Sequence, residues 1–221
     1  MYKRQALPEP AGSIARLLVE IGADAAAAGR TAPVVVIDEA YAEFVGESLV
    51  SLRVDYPRLI VVRTASKAYA LAGLRVGFAV AAPEMTALLN PFRSPASIST
   101  VSSTLVAEAM RDGSAMAANV ERVTRERDRV RQGLIDAGWP TGRSVTNFLL
   151  VDFRSVERSA AAAEALLQHG LVPRTFGPAH PLADHLRLTI RDPHENDRLL
   201  EAVRAIDPTL PAPPSPTETP A

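Results

Sequence analysis

Two short aliphatic runs bracket a segment that contains a lysine and an arginine, and this pattern limits the possible fold more than any other feature of the sequence. The runs are residues 59–62 (LIVV) and 76–80 (VGFAV), and the segment between them is 64–77 (TASKAYALAGLRVG). Aliphatic runs of this length are too short for a helix and are typical of buried strands. The sequence therefore predicts two buried strands joined by a connection at the edge of a core.

A third aliphatic run, residues 34–37, is followed directly by acidic residues. A continuous run of this kind predicts a parallel strand that is buried on both faces. The carboxylates of Asp38 and Glu39 then lie at the carboxyl end of that strand, where open α/β sheets bind their ligands. In a second interpretation, Asp38 only caps the first turn of a helix.

The connection at 64–77 places Lys67 among alanine and leucine side chains. Apolar surroundings remove water from an amine and favour its neutral form, which is the nucleophile that reacts with carbonyl groups. Further along the connection, Arg75 adds a permanent cation whose planar donors suit a phosphate. The alternative is a loop with two solvated cations, and short motifs do not decide between the two.

Composition narrows the class of protein. The 221 residues carry a formal charge of −1, so nothing points to nucleic acid or an anionic membrane as a partner. The absence of cysteine excludes disulfides, thiolate nucleophiles and cysteine-ligated metals. The four histidines lack metal-ligand spacing, so no metal site is predicted. With no membrane-length apolar run and no secretory leader, a cytoplasmic protein is expected.

Periodicity predicts two domains between two irregular ends. Residues 1–12 are predicted to be a ragged leader, and the proline-rich residues 208–221 a disordered tail. The domains are predicted over 13–113 and 114–207, the second opening with a long charged helix. The predicted helices are 13–29, 83–90, 99–112, 114–137, 155–169 and 194–206, and the predicted strands are 34–37, 59–63, 75–81, 148–153 and 186–190.

Three motifs in a fixed order resemble the fold-type I aminotransferases, which depend on pyridoxal 5'-phosphate, and within them the histidinol-phosphate aminotransferases. The motifs are 34–44 (VVVIDEAYAEF), 66–77 (SKAYALAGLRVG) and 186–190 (LRLTI). The resemblance extends over about residues 8–207. It implies an α/β fold, with part of a large cofactor-binding domain (a mostly parallel sheet flanked by helices) and a small C-terminal α+β domain.

The resemblance implies roles around the cofactor ring. Lys67 would bind the cofactor covalently through its amine and later act as the general base that moves the substrate α-proton. Asp38 would pair with the pyridine nitrogen and keep the ring protonated, so that the ring can accept electrons. Tyr41 would donate a hydrogen bond to the phenolic oxygen of the ring.

It also implies how anionic groups are bound. Ser66 and Arg75 would hold the cofactor phosphate, and Arg187 would bind the substrate α-carboxylate. For Arg187 the alternative is a strand-edge arginine that faces water. Arg174 lies where this family often has an arginine near the substrate entrance, and the sequence assigns it no role.

The implied reaction is transamination between an amino donor, histidinol phosphate, and a 2-oxo acid acceptor, 2-oxoglutarate, in histidine biosynthesis. The first half of the family pattern is not recognisable in residues 1–33. The expectation is therefore a C-terminal portion of a homodimeric parent that on its own binds the cofactor weakly or not at all. Alternatives are a related decarboxylase of threonine phosphate, a non-catalytic interaction module, and a ligand-binding α/β domain without chemistry.

Overall fold

The computed structural model describes residues 9–206. Most of the predicted leader and all of the predicted tail, 208–221, therefore lie outside the described residues. The first helix begins at Ala11, so the last two residues assigned to the leader are helical.

Helices and strands appear in the order that the sequence predicted. The helices are α1 Ala11–Ala27, α2 Ala42–Val45, α3 Pro83–Leu89, α4 Thr100–Asp112, α5 Ser114–Asp136, α6 Val156–Gln168 and α7 Pro193–Ile206. The strands are β1 Val35–Asp38, β2 Leu59–Thr64, β3 Gly77–Ala81, β4 Phe148–Asp152 and β5 His185–Thr189. Short 3-10 turns cover Val50–Arg53, Ala72–Leu74 and Asn90–Phe92.

The chain forms two compact units that meet in sequence inside α5, between Glu121 and Arg122. We call the described residues 9–121 the N-terminal unit and residues 122–206 the C-terminal unit. The domain boundary at 113/114 remains a prediction. None of the described helices is long and apolar enough to cross a membrane.

The N-terminal unit contains a three-stranded sheet in the order β1-β2-β3. β1 and β2 are parallel, with Asp38 opposite Val62, whereas β2 and β3 are antiparallel. One face of the sheet packs against α1, where Leu18 joins Leu59 and Val61 in a core that also contains the aromatic ring of Tyr56. The Tyr56 hydroxyl donates to a backbone carbonyl at 2.8 Å, so this buried polar group is satisfied.

Two sequence predictions about this sheet need correction. The strand at 34–37 was predicted to be buried on both faces, but alternate residues of β1 are open, and Val36 is 60% exposed. β1 lies at an edge of the described sheet, and on the face that carries Val36 the neighbouring strand also exposes Val62, although Ile60 on that face is buried. The sheet was predicted to be mostly parallel, but only one of its two pairings is parallel.

The C-terminal unit contains the antiparallel pair β4 and β5, with helices α6 and α7 following the strands in turn. Leu149 and Val151 of β4 and Leu186 of β5 are completely buried. The rings of Trp139 and Phe153 meet edge to face with centroids 5.2 Å apart, a favourable aromatic geometry. This unit therefore has a closed core of its own.

Candidate active site

The residues predicted to contact a cofactor ring lie at one edge of the N-terminal sheet. β1 and β2 run in parallel and end at Asp38 and Thr64, so the turns after them leave the sheet at the same edge. Tyr41 lies in the first turn and Lys67 in the second. The Lys67 Nζ atom is 5.9 Å from the centroid of the Tyr41 ring, within the range of a cation–π contact. The structure thus brings these two residues together.

Asp38 is the last residue of β1 at this edge of the sheet, and it is exposed. One carboxylate oxygen accepts a hydrogen bond at 2.9 Å from the backbone N–H of Ala40, which fixes the turn after β1. The helix cap given as the alternative is not observed, because the N-cap position of α2 is Tyr41 and Asp38 bonds to the turn.

Lys67 is half-buried and is the only lysine among the described residues, since the sequence contains one other, Lys3. The neighbouring Ser66 has its hydroxyl 2.9 Å from that of Thr64, and its N–H donates to the same Thr64 oxygen at 3.1 Å. Arg75 is exposed and adopts a left-handed backbone conformation with φ of 57°. Strained backbone of this kind in a non-glycine residue is concentrated at functional sites.

A cluster of charges that the sequence analysis did not single out supports the turn after β1. Arg63 of β2 lies between two carboxylates, 2.8 Å from Glu43 and 4.0 Å from Glu39, whose side chains are only 6% and 7% exposed. Glu39 also accepts hydrogen bonds from the Ser48 hydroxyl and the Leu49 N–H. The sequence signal that could have predicted this cluster is the four-residue spacing of Glu39 and Glu43, together with Arg63 on the next predicted strand.

The same cluster affects a tyrosine of the Lys67 turn. Burial raises the pKa of Tyr69, and the nearby charge of Glu43 raises this pKa further, against a smaller opposing effect of Arg63. The phenol of Tyr69 therefore stays protonated at neutral pH.

The C-terminal unit places two arginines side by side. Arg187 of β5 and Arg174 exchange backbone N–H···O bonds of 3.0 Å in both directions, so their side chains leave the same face. The guanidinium carbon of Arg187 lies 5.1 Å from the centroid of the Phe148 ring. Its Nε is buried and has no hydrogen-bond partner among the described residues.

The sequence matches the model of one protein family, described as aminotransferase class I and II, over residues 25–203. The chain belongs to this family. The resemblance on which the sequence analysis relied is therefore confirmed at the level of the family.

The curated relatives of this aminotransferase chain are named as different aminotransferases. It is 40% identical over 172 residues to a histidinol-phosphate aminotransferase of Thermococcus gammatolerans, covering 78% of this chain and 47% of the relative. It is 38% identical over 169 residues to an aromatic amino acid aminotransferase of Rhodococcus erythropolis, covering 76% and 45%. The chain spans about half the length of the curated relatives that it matches.

A solved structure shows the aminotransferase fold. Histidinol-phosphate aminotransferase from Sinorhizobium meliloti, in complex with pyridoxal-5'-phosphate, superimposes with a TM-score of 0.81 at 24% identity. The match covers 94% of this chain and 55% of that one. The predicted α/β class is confirmed, while the arrangement of its domains stays a prediction.

One group of possible metal ligands does come together in the described part of this aminotransferase chain. Side-chain atoms of Asp152, Asp184 and His185 lie within 4.8 Å of one another. The His185 Nδ1 is 2.5 Å from Asp184, and its Nε2 is 3.9 Å from Asp152. Because these groups bind each other, we assign no metal to them.

Proposed function

We propose that this chain carries the lysine-bearing part of a cytoplasmic aminotransferase that uses pyridoxal 5'-phosphate. The reaction is transfer of the amino group of histidinol phosphate to 2-oxoglutarate, giving imidazole acetol phosphate and glutamate. The observation that carries the proposal is the position of Lys67, a half-buried amine beside Tyr41 at the sheet edge where β1 ends in Asp38.

The chemistry of the donor set fits this cofactor. The edge offers an amine for its aldehyde, a carboxylate for its pyridine nitrogen, and a hydroxyl with a guanidinium for its phosphate. When bound, pyridoxal 5'-phosphate supplies an electron sink for the charge that develops at the substrate α-carbon.

The residues at the edge each contribute a separate property. Asp38 keeps a proton on the pyridine nitrogen, because a carboxylate stabilises the cation that this proton creates. The Tyr41 hydroxyl donates to the phenolic oxygen and orients the ring. Lys67 binds the cofactor through its amine and then, as a free amine, takes the proton from the α-carbon. Ser66 and Arg75 hold the phosphate.

Two arginines of the C-terminal unit bind the anionic groups of the substrates. Arg187 has a buried Nε without a partner among the described residues, and its contact with Phe148 limits the directions in which its fork can point. It binds the α-carboxylate bidentately. The adjacent Arg174 supplies a second cation for a phosphate or a second carboxylate. We assign the cofactor-binding residues to a domain that spans 13–113 and the two substrate-binding arginines to a domain that spans 114–207. The parent protein is proposed to be a homodimer.

Covalent capture tests this proposal directly. The purified chain is mixed with excess pyridoxal phosphate, so that weak binding is also detected. The amine nitrogen bonds to the aldehyde carbon with loss of water, and borohydride then fixes the bond. Peptide mass spectrometry should find the adduct at Lys67 and little at Lys3, with Asp38→Asn lowering the yield.

A turnover assay identifies the substrates. Any turnover by the chain should form glutamate from histidinol phosphate and 2-oxoglutarate, and Lys67→Ala should abolish it. Release of carbon dioxide from threonine phosphate without glutamate formation would instead favour the decarboxylase. Equal labelling of Lys3 and Lys67, together with absence of turnover, would contradict the proposed function.

A further inference from the structure

The backbone of the Lys67 turn is held from outside by one side chain of α5. The Asn119 side-chain amide donates a hydrogen bond of 2.8 Å to the carbonyl of Ala68, 51 residues earlier in the chain. Ala68 directly follows Lys67 and is completely buried. A buried carbonyl needs a hydrogen-bond donor, so this bond stabilises the conformation of the turn.

The other backbone bonds of the turn join the segment to itself. The N–H of Ala70 donates to the Lys67 carbonyl at 3.0 Å, and the N–H of Leu71 donates to the Ala65 carbonyl at 3.1 Å. Ala70 has a φ of 57°, which disfavours a residue with a β-carbon. A turn that contains such a residue persists only where surrounding contacts fix it.

The elements on either side of Asn119 place it where it can donate to the Ala68 carbonyl. Val106 of α4 packs with Ala65 and Val76, which lie at the two ends of the turn. Gly113, with a φ of 67°, then ends α4 and allows α5 to start at once in a new direction. Asn119 lies in the second turn of α5 and is half-buried.

We propose that Asn119 is a positioning residue for Lys67. Its amide fixes the Ala68 carbonyl while the N–H of Ala70 fixes the Lys67 carbonyl, so both peptide groups that follow the lysine α-carbon have set directions. The Cα–Cβ bond of Lys67 then points consistently toward the Tyr41 side of the edge. This inference rests on the proposed function for the role of the amine, but the anchor itself can be tested without a cofactor.

The test uses the full chain and four proteins. Asn119→Asp keeps the shape of the side chain but removes the donor, and Asn119→Gln keeps an amide. Gln132→Glu is the matched control, because it makes the same amide-to-carboxylate change at an exposed position of the same helix. We measure amide hydrogen exchange of the turn, and borohydride capture of pyridoxal phosphate at Lys67 relative to Lys3.

For Asn119→Asp we expect exchange at Ala70 and Leu71 to become about tenfold faster, with Leu59 unchanged. Capture at Lys67 relative to Lys3 should fall about fivefold to tenfold, whereas Asn119→Gln should retain most of both properties and Gln132→Glu all of them. A general loss of structure would instead accelerate exchange at Leu59 and leave no pattern specific to the turn.

The two hypotheses fail in different ways. Unchanged exchange of the turn in Asn119→Asp overturns the anchor, whatever the cofactor does. Faster exchange with unchanged capture overturns the role toward the amine and leaves the proposed function intact. Wild-type protein that is labelled no better at Lys67 than at Lys3, and that shows no turnover, overturns the proposed function, and the exchange rates still confirm or refute the anchor.

Discussion

The two sheets of this chain are built from similar aliphatic strands but are covered very differently. In the C-terminal unit, the β4–β5 pair has Leu149, Val151 and Leu186 fully buried beneath its helices. In the N-terminal unit, β2 buries Leu59 and Val61 on one face. On the opposite face Ile60 is buried, but Val62 of β2 is 36% exposed and Val36 of β1 is 60% exposed. One sheet is closed by its own chain, and the other has a partly open face.

This difference shows what an aliphatic run can and cannot predict. A strand pattern specifies that a face needs cover, but the covering element comes from elsewhere in the sequence. Among the described residues, the C-terminal unit supplies that element, and the N-terminal unit does so fully on one side and in part on the other. Substitutions should therefore have large effects in the closed core and small effects on the open face.

The largest effect is expected inside the closed core. Phe153 is 1% exposed and packs against Trp139, so Phe153→Ala removes buried surface and leaves a cavity. The free energy of unfolding should fall by about 3–5 kcal/mol. Urea unfolding followed by the fluorescence of the single tryptophan measures it. Phe92→Ala is the control, because Phe92 is 87% exposed, and it should change stability by less than about 0.5 kcal/mol.

The next effect tests how much the nearly buried charges stabilise the turn after β1 in the N-terminal unit. Arg63→Met leaves Glu39 and Glu43 without their shared cation in a nearly buried site. We expect a loss of about 2–3 kcal/mol, measured by hydrogen exchange of the β2 amides. Arg63→Lys should lose less, since it keeps the charge but not the planar fork. Equal losses for the two variants would show that side-chain packing, not charge, stabilises the turn.

A smaller effect, dependent on pH, is expected where α5 meets α7 in the C-terminal unit. Hydrogen bonds from Arg129 lower the pKa of Glu126 below its ordinary value, and a bond from the buried Asn196 adds to this effect. The carboxylate therefore stabilises the fold above about pH 4.3, its unfolded pKa, and this contribution is lost as the pH falls through the folded pKa.

Glu126→Gln should lower the free energy of unfolding by about 1–2 kcal/mol at pH 7, and by progressively less as the pH approaches 3. Tryptophan fluorescence in urea at several pH values measures this difference. Glu164→Gln, at an exposed position of α6, is the control and should follow the wild-type curve. A constant difference between pH 7 and pH 3 would show that the ionised form of Glu126 makes no special contribution.

The sequence predicted the elements well, because each depends on local signals. Alternation over 186–190 predicted β5, and the glycines at 29 and 170, both with positive φ, end helices as expected. Burial of β1 was predicted wrongly, because the run at 34–37 carries no information about which elements lie over it. β3 was predicted as a strand, but its antiparallel direction was not, since strand direction depends on the whole sheet.

The candidate site was predictable only as a set of reactive groups. Motif order led to Lys67 and Tyr41, and the structure places them 5.9 Å apart, ring centroid to amine. The supporting contacts of Arg63 and Asn119 join residues 20 to 51 positions apart, which no local pattern indicates. The pairing of Arg174 with Arg187 likewise needs a backbone register that spacing alone does not give.

The smallest effect on stability is expected on the open face, and it is also the sharpest test of the comparison. Val36→Thr keeps the β-branched shape that suits a strand and replaces a methyl group by a hydroxyl that water can bind. Because Val36 is 60% exposed, the free energy of unfolding should change by less than about 0.5 kcal/mol. Val61→Thr, at a fully buried position of the same sheet, should lower the free energy of unfolding by about 1–3 kcal/mol.

Sedimentation at increasing protein concentration should show less self-association for Val36→Thr than for wild type, because exposed apolar strands favour pairing between molecules. Equal losses of stability at 36 and 61 would show that the face is covered in solution, and the contrast between the two sheets would then disappear.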